Sequence, residues 1–162
     1  MNLLRPVDHS ALATNQAVII LLLILGYILN LPVLVAVVAL AMLTGSLLGK
    51  PGFGWLYTRL LRPAGLVKPN VLMDNAEPHR FAQGFGGTVV LAGLLALLAG
   101  QAVLGWGLAW LVVALAALNL FAGFCVGCAV YYWLNRLGVP GFRKSAPQGI
   151  FPGLRPRRPY ER

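Results

Sequence analysis

Apolar residues in this chain fall into four long runs separated by short polar links. They show neither the alternation of a strand nor the one-sided stripe of a soluble helix. A helix needs about 20 apolar residues to cross a hydrocarbon core of ~30 Å. The first run covers residues 12 to 29 and is cleanest from Ala17 onward. Asn30 and Pro32 then turn the chain, and Pro32, lacking an N–H, suits the first turn of a new helix. The second run, 33 to 48, stops at Gly49-Lys50-Pro51-Gly52. The third, 84 to 104, is punctuated by Gly105 and Gly107, and the fourth, 108 to 134, is long enough to span with tilt. The pattern predicts an all-α, polytopic membrane protein with four transmembrane helices in two hairpins, all within residues 1–139. Helices satisfy their own backbone where no water is present. The first run lacks a small-x-small cleavage pattern and reads as a retained helix.

Between the hairpins, residues 53–62 (Phe-Gly-Trp-Leu-Tyr-Thr-Arg-Leu-Leu-Arg) can form a short helix in the interface, its rings and leucines in lipid and Arg59 and Arg62 at headgroups. A plain loop is the alternative. Residues 140–162 are rich in Pro, Gly and Arg, the composition of an extended or disordered, lipid-associated tail.

Composition supports the membrane reading. The 162 residues are 59% hydrophobic and 10% charged, against about a quarter charged in soluble domains. The formal charge of +9 comes from 13 Lys and Arg against 4 Asp and Glu. These cations only flank the apolar runs, which fits anionic lipid headgroups and not nucleic acid. The links near Asn30 and Gly105 carry no Lys or Arg, so all the cations fall on one side of the four-helix arrangement. The positive-inside rule makes that side, with both termini, cytoplasmic, and the protein a multi-pass protein of the cell's inner (plasma) membrane. Trp106 and Trp110 then lie near the outer interface, and Trp55, Tyr57 and Trp133 near the inner one.

Small residues at four-residue spacing suggest where helices approach. They are Ala41, Gly45 and Gly49; Thr88, Ala92, Ala96 and Gly100; and Asn119, Gly123 and Gly127. Asn119, inside the fourth run, calls for a hydrogen bond to another helix. The two halves echo weakly: His9 and His79 each precede a hairpin.

Cys125 and Cys128, the only cysteines, form Phe-Cys-Val-Gly-Cys within the fourth run. In a continuous helix their Cα atoms would lie roughly 5 Å apart, on one face. They would sit in the inner leaflet about 12 Å from Arg136. A permanent disulfide is not expected beside a reducing cytoplasm. Three readings stay open: a reversible dithiol or sulfur carrier, with His79 and Arg80 as polar neighbours; plain packing beside Gly123 and Gly127; and a metal site of Cys125, Cys128, His9 and His79. The last is opposed by a mismatch in depth, and no metal or other cofactor is expected. Haem attachment is excluded because Ala129 follows Cys128. In the stretch Asp74–Phe81, Pro78 suits a first helical turn and Asn75 or Glu77 could cap it. His79 and Arg80 there could instead meet an anionic substrate or partner.

The chain resembles a bacterial integral-membrane family, domain of unknown function 4395. The likeness rests on Pro6-Val7-Asp8 with Asn15-Gln16, on His79-Arg80-Phe81-Ala82-Gln83-Gly84, and on Phe124-Cys125-Val126-Gly127-Cys128 with Tyr131. The resemblance implies a setting with thioredoxin-like proteins and sulfurtransferases as partners, and so favours thiol or sulfur chemistry. The competing function is a non-enzymatic accessory or scaffold subunit of a membrane complex. A transporter fits least, because the runs lack midplane charges.

Overall fold

Asp8 starts the first helix by accepting the Ser10 N–H at 3.0 Å, the usual service of an N-cap carboxylate. In the computed structural model, which describes residues 4–147 and 149–156, this cap belongs to a short strand, β1 (Arg5–Asp8). Helix α1 follows (His9–Ile28), and α2 (Pro32–Leu48) returns with Pro32 in its first turn. A short helix α3 (Gly54–Leu56) runs into a π-helical turn (Tyr57–Leu61). Strand β2 (Val71–Asp74) leads into α4 (Ala76–Leu98), which pairs as a hairpin with α5 (Ala102–Ala122). Helix α6 (Val126–Arg136) closes the order. The strands were not legible in the apolar pattern. They pair antiparallel, Arg5 opposite Asp74 and Asp8 opposite Val71.

Helices α1, α4 and α5 are long and apolar enough to cross a membrane, whereas α2 has 17 residues. Their outward faces keep large apolar side chains uncovered, among them Leu21, Leu40, Leu95 and Val103. So much bare apolar surface is at home in lipid and not in water. The protein is a multi-pass membrane protein, all-α apart from one two-stranded ribbon.

Inside the bundle, α2 packs on α4 and α1 on α5. Val35, Val38 and Met42 of α2 meet Val90 of α4, with Ile19 and Leu23 of α1 and Val112 of α5 in the same buried cluster. Small residues set the closest approaches, as expected without a hydrophobic drive between helices. Gly93 lies so near the next helix that a Cβ there would be 3.0 Å from the Gly105 carbonyl, a contact between α4 and α5 outside the anticipated rows. Gly45 does pack closely, against Gln83 and the backbone of Lys50 and Gly52. A Cβ at Gly49 or Gly100 would meet nothing within 4 Å; these glycines end helices in the left-handed region, at φ +69 and +79.

Three expectations from sequence need revision. The run 108–134 is not one helix: Gly123 takes φ +66, Phe124 and Cys125 are extended, and α6 starts afresh at Val126. Hydropathy does not register this break, because apolar residues lie on both sides of it. The run 84–104 starts eight residues early, at Ala76, and stops at Leu98. Asn75 occupies its N-cap position without a side-chain cap bond; its amide turns instead to the Tyr132 hydroxyl (3.3 Å) and the Ser145 carbonyl (3.0 Å). The chain after Pro140 is not free: Phe124 bridges Leu154, and Arg155 N–H donates to the Gly123 carbonyl at 2.9 Å. Arg157, Arg158 and Arg162 lie outside the described residues.

The segment 53–62 is helical, as one reading held, but only its outer face is bare. Trp55 and Leu60 are exposed, while Tyr57 is buried and donates to Asp8 Oδ2 at 2.9 Å. The halves repeat a plan: strand, long helix, return helix, left-handed glycine (Gly49, Gly123), short helix. In each, a tyrosine of the short helix meets the residue before the first long helix, Tyr57 with Asp8 and Tyr132 with Asn75.

Gly127 of α6 rests on Ala82 of α4, where a Cβ would come 2.8 Å from the Ala82 Cα. Gly127→Leu is expected to lower stability by about 1–3 kcal/mol through overpacking. Thermal unfolding in mild detergent measures this, with Gly107→Leu as a control, since nothing lies within 4 Å of that position. Equal midpoints for the two variants would contradict the packing.

Candidate functional site

The break after α5 decides where the sulfurs lie. Gly123 reverses the backbone, and Cys125, extended at φ −93 and ψ 103, becomes the N-cap of α6. Its sulfur accepts the Cys128 N–H at 3.2 Å. The cysteine pair is therefore outside any membrane-length helix, at the start of a short one. Cys125 and Cys128 are joined as a disulfide, with Cα atoms 5.2 Å apart. With Cys125 as N-cap, the turn brings the sulfurs together. Both residues are buried.

His79 stands on the first turns of α4, with Nδ1 3.4 Å from Cys128 Sγ. Its Nε2 lies 2.9 Å from Asp74 Oδ2. An ionised carboxylate can only accept, so Nε2 carries a proton and, in the neutral ring, the Nδ1 lone pair faces the sulfur. Asp74 is the last residue of β2, its side chain 6% exposed. The Asn75 N–H donates to its other oxygen at 2.8 Å. His9, the first residue of α1, places Nε2 3.3 Å from the same Oδ2, out of line for a regular hydrogen bond. Burial works to raise the Asp74 pKa. The hydrogen bond and charge of His79, the proximity of His9 and the Asn75 N–H outweigh it and hold the carboxyl well below its usual range.

The structure thus gathers His9, Asp74, His79, Cys128 and Cys125 in one chain of contacts, all buried except His79, which is partly exposed. The depth mismatch anticipated between the histidines and the cysteines is absent, because the cysteines sit at the helix break beside the start of α4. Arg80 is elsewhere: it donates to the carbonyls of Ser46 (2.5 Å) and Leu47 (3.2 Å), closing the end of α2. Asn119, on the last turn of α5, makes no side-chain hydrogen bond to another helix among the described residues; its carbonyl accepts Arg155 Nη2 at 3.3 Å. Gly123 forms the break, and Gly127 packs on Ala82.

Asp74, Tyr132, Gly153 and Arg155 were not picked out as site residues. Asp74 carried a faint signal, as one of only four acids and close before His79. Nothing in the sequence marks Gly153 or Arg155. Gly153 accepts the Cys125 N–H at 2.8 Å and straps the tail over the break. A Cβ there would meet the Cys125 carbonyl at 2.8 Å, and φ is +92, so the strap needs glycine.

Two cavities adjoin the sulfurs. One, of about 20 Å³, has polar walls including His9, Asp74, His79, Tyr132 and Arg155. It has room for one water. The other, of about 110 Å³, runs into the bundle between Ile19, Met42, Val112 and Val130 and reaches His79 and Cys125.

Fold and site together define a multi-pass membrane protein with a closely spaced cysteine pair and a buried His–Asp–His cluster beside it. The chain belongs to the family described as domain of unknown function (DUF4395), whose model matches residues 7–136. No curated protein and no solved structure matches it.

Two outcomes follow from this geometry. A carboxyl with a depressed folded pKa stabilises the protein above its unfolded value of about 3.9, and that contribution fades as pH falls toward the folded value. Unfolding midpoints in detergent should therefore fall from about pH 5 downward, and Asp74→Asn should flatten that slope while costing about 3 kcal/mol at neutral pH, the scale for breaking a buried pair. Gly153→Ala should loosen the strap and speed alkylation of the reduced cysteines, read by mass spectrometry. An unchanged rate would show that the tail does not limit access.

Proposed function

We propose that this protein handles thiols or sulfur at the cytoplasmic face of the bacterial plasma membrane, with Cys125 and Cys128 as a reversible dithiol. The observation that carries the reading is the contact of His79 Nδ1 with Cys128 Sγ, backed by Asp74 on the opposite ring nitrogen. Packing alone does not require a part-buried imidazole and a buried carboxylate aligned on a sulfur. The placement of Cys125 at a helix N-terminus adds support, since N–H groups there favour a thiolate.

In the exchange, a thiolate of a thioredoxin-like or sulfurtransferase partner attacks Cys125 Sγ, and the bond to Cys128 breaks. Cys128 leaves as a thiolate and receives the proton that the partner's attacking thiol gave up, relayed through His79, whose Nδ1 lone pair faces the sulfur. The partner's second thiol then displaces Cys125, completing a two-electron, two-proton transfer that leaves the partner oxidised and the pair reduced. Once the pair is reduced, the Cys125 thiolate would instead take the outer sulfur of a partner persulfide, whose inner sulfur leaves as a thiolate.

Four membrane crossings with both termini cytoplasmic are part of this reading. Support comes from the clustering of β1, β2, the two short helices and the described tail at one end of the bundle, where all described cations lie. That end would face anionic headgroups. Helix α2, about 25 Å long at 17 residues, would cross a slightly thinned core.

Thiol trapping in cells under reducing, oxidising and sulfur-rich growth, read by mass spectrometry, tests the function. A shift of the pair between disulfide, dithiol and persulfide is expected, with loss of exchange in Cys125→Ser and a slowing of at least tenfold in His79→Ala, the scale of general acid–base help. A pair that never changes state, with Cys125→Ser/Cys128→Ser cells behaving normally, would refute it.

A further inference from the structure

The sulfurs and the ring nitrogen converge on one point, and reduction of the disulfide would leave that point in need of positive charge. Cys125 Sγ, Cys128 Sγ and one His79 nitrogen all lie within 4.8 Å of one another. His79 Nδ1, 3.4 Å from Cys128 Sγ, presents a lone pair because Nε2–H is engaged by Asp74. A carboxylate on the far nitrogen of a ligand histidine fixes its tautomer and orientation and strengthens its donation. Asp74 and, behind it, His9 already occupy that supporting position. The polar cavity of about 20 Å³ borders all three donors and has room for one water. Two thiolates buried together are costly without a compensating cation.

We propose that the reduced site is a binding site for a thiophilic d¹⁰ divalent cation of the zinc class, held by Cys125, Cys128 and His79, with the one-water cavity as the fourth, open position. Two thiolates, one imidazole and a replaceable water are a donor set that suits tetrahedral zinc. Binding releases the two thiol protons and leaves the site neutral. Oxidation reverses it: the two thiolates pass two electrons to a partner disulfide, which takes two protons from water and becomes a dithiol, and the new Cys125–Cys128 bond removes two of the three ligands. The cation is then released, so occupancy reports the redox state of the pair. The inference rests on the proposed function only in requiring that the pair can be reduced.

The test uses the full-length protein in detergent with Cd²⁺ as a spectroscopic probe. Protein reduced anaerobically, then freed of reductant, is titrated while its free thiols are counted on a parallel sample. One equivalent of Cd²⁺ with sulfur-to-cadmium charge-transfer absorption is expected, displaced by Zn²⁺ and lost when diamide restores the disulfide. His79→Ala should weaken binding at least tenfold. Two countable thiols with no cadmium absorption would overturn the site while leaving thiol exchange intact. Stoichiometric cadmium binding by a pair that no dithiol partner reduces would instead sink the exchange reading and keep the metal site. Binding that survives in Cys125→Ser/Cys128→Ser would place the cation elsewhere and also overturn the assignment.

Discussion

One carboxylate joins the two halves of this protein. Asp74 ends β2, takes the His79 ring from α4, draws in His9 at the start of α1 and accepts the following backbone N–H. Strand pairing fixes its backbone opposite Arg5. Remove that charge and two imidazoles lose their common partner, the tautomer of His79 is no longer imposed, and the nitrogen facing Cys128 becomes either donor or acceptor. Structure and chemistry therefore meet in the same ion. A buried carboxylate carries a desolvation penalty that only good geometry offsets, and the bundle supplies that geometry through three separate elements.

The cysteine motif acquires its character from backbone and not from neighbours in sequence. In one unbroken helix the pair would have faced lipid or a packing seam, with nothing to polarise it. Gly123, in the left-handed region, ends α5 and lets Cys125 cap a new helix. The same break frees edge groups at Gly123 and Cys125, and the tail satisfies both: Arg155 N–H reaches the Gly123 carbonyl, and Cys125 N–H reaches Gly153. A segment with the composition of a disordered tail is thus recruited by unpaired backbone beside the site.

Much of the bundle was legible because apolar runs and their punctuation follow from simple requirements of length and turn. The turn at Asn30 and Pro32 and the stop at Gly49 lie where the pattern put them. The cysteines and His79 were also visible as candidates. What escaped the sequence depends on long-range pairing. Strand β1 meets β2 across some 66 residues, and neither four-residue segment alternates strongly enough to announce itself. The interruption at Gly123 hides in a run whose hydropathy never drops. Arg80, adjacent to His79, looked like a partner for the sulfurs, but it points away to cap α2 because successive residues on a helix lie 100° apart.

The strand–helix–helix plan occurs twice, yet only the second copy carries cysteines. Where that copy has Gly123-Phe-Cys, the first has Gly49-Lys50-Pro51-Gly52-Phe53, and Asn15 there accepts the Phe53 N–H at 2.9 Å. The first half thus follows the same order of elements, with an amide hydrogen bond where the second has its cysteines. It fills the same place in the plan without cysteines. The molecule can vary one copy while the other keeps the shared scaffold in shape, a division of labour that a single symmetric site would not permit.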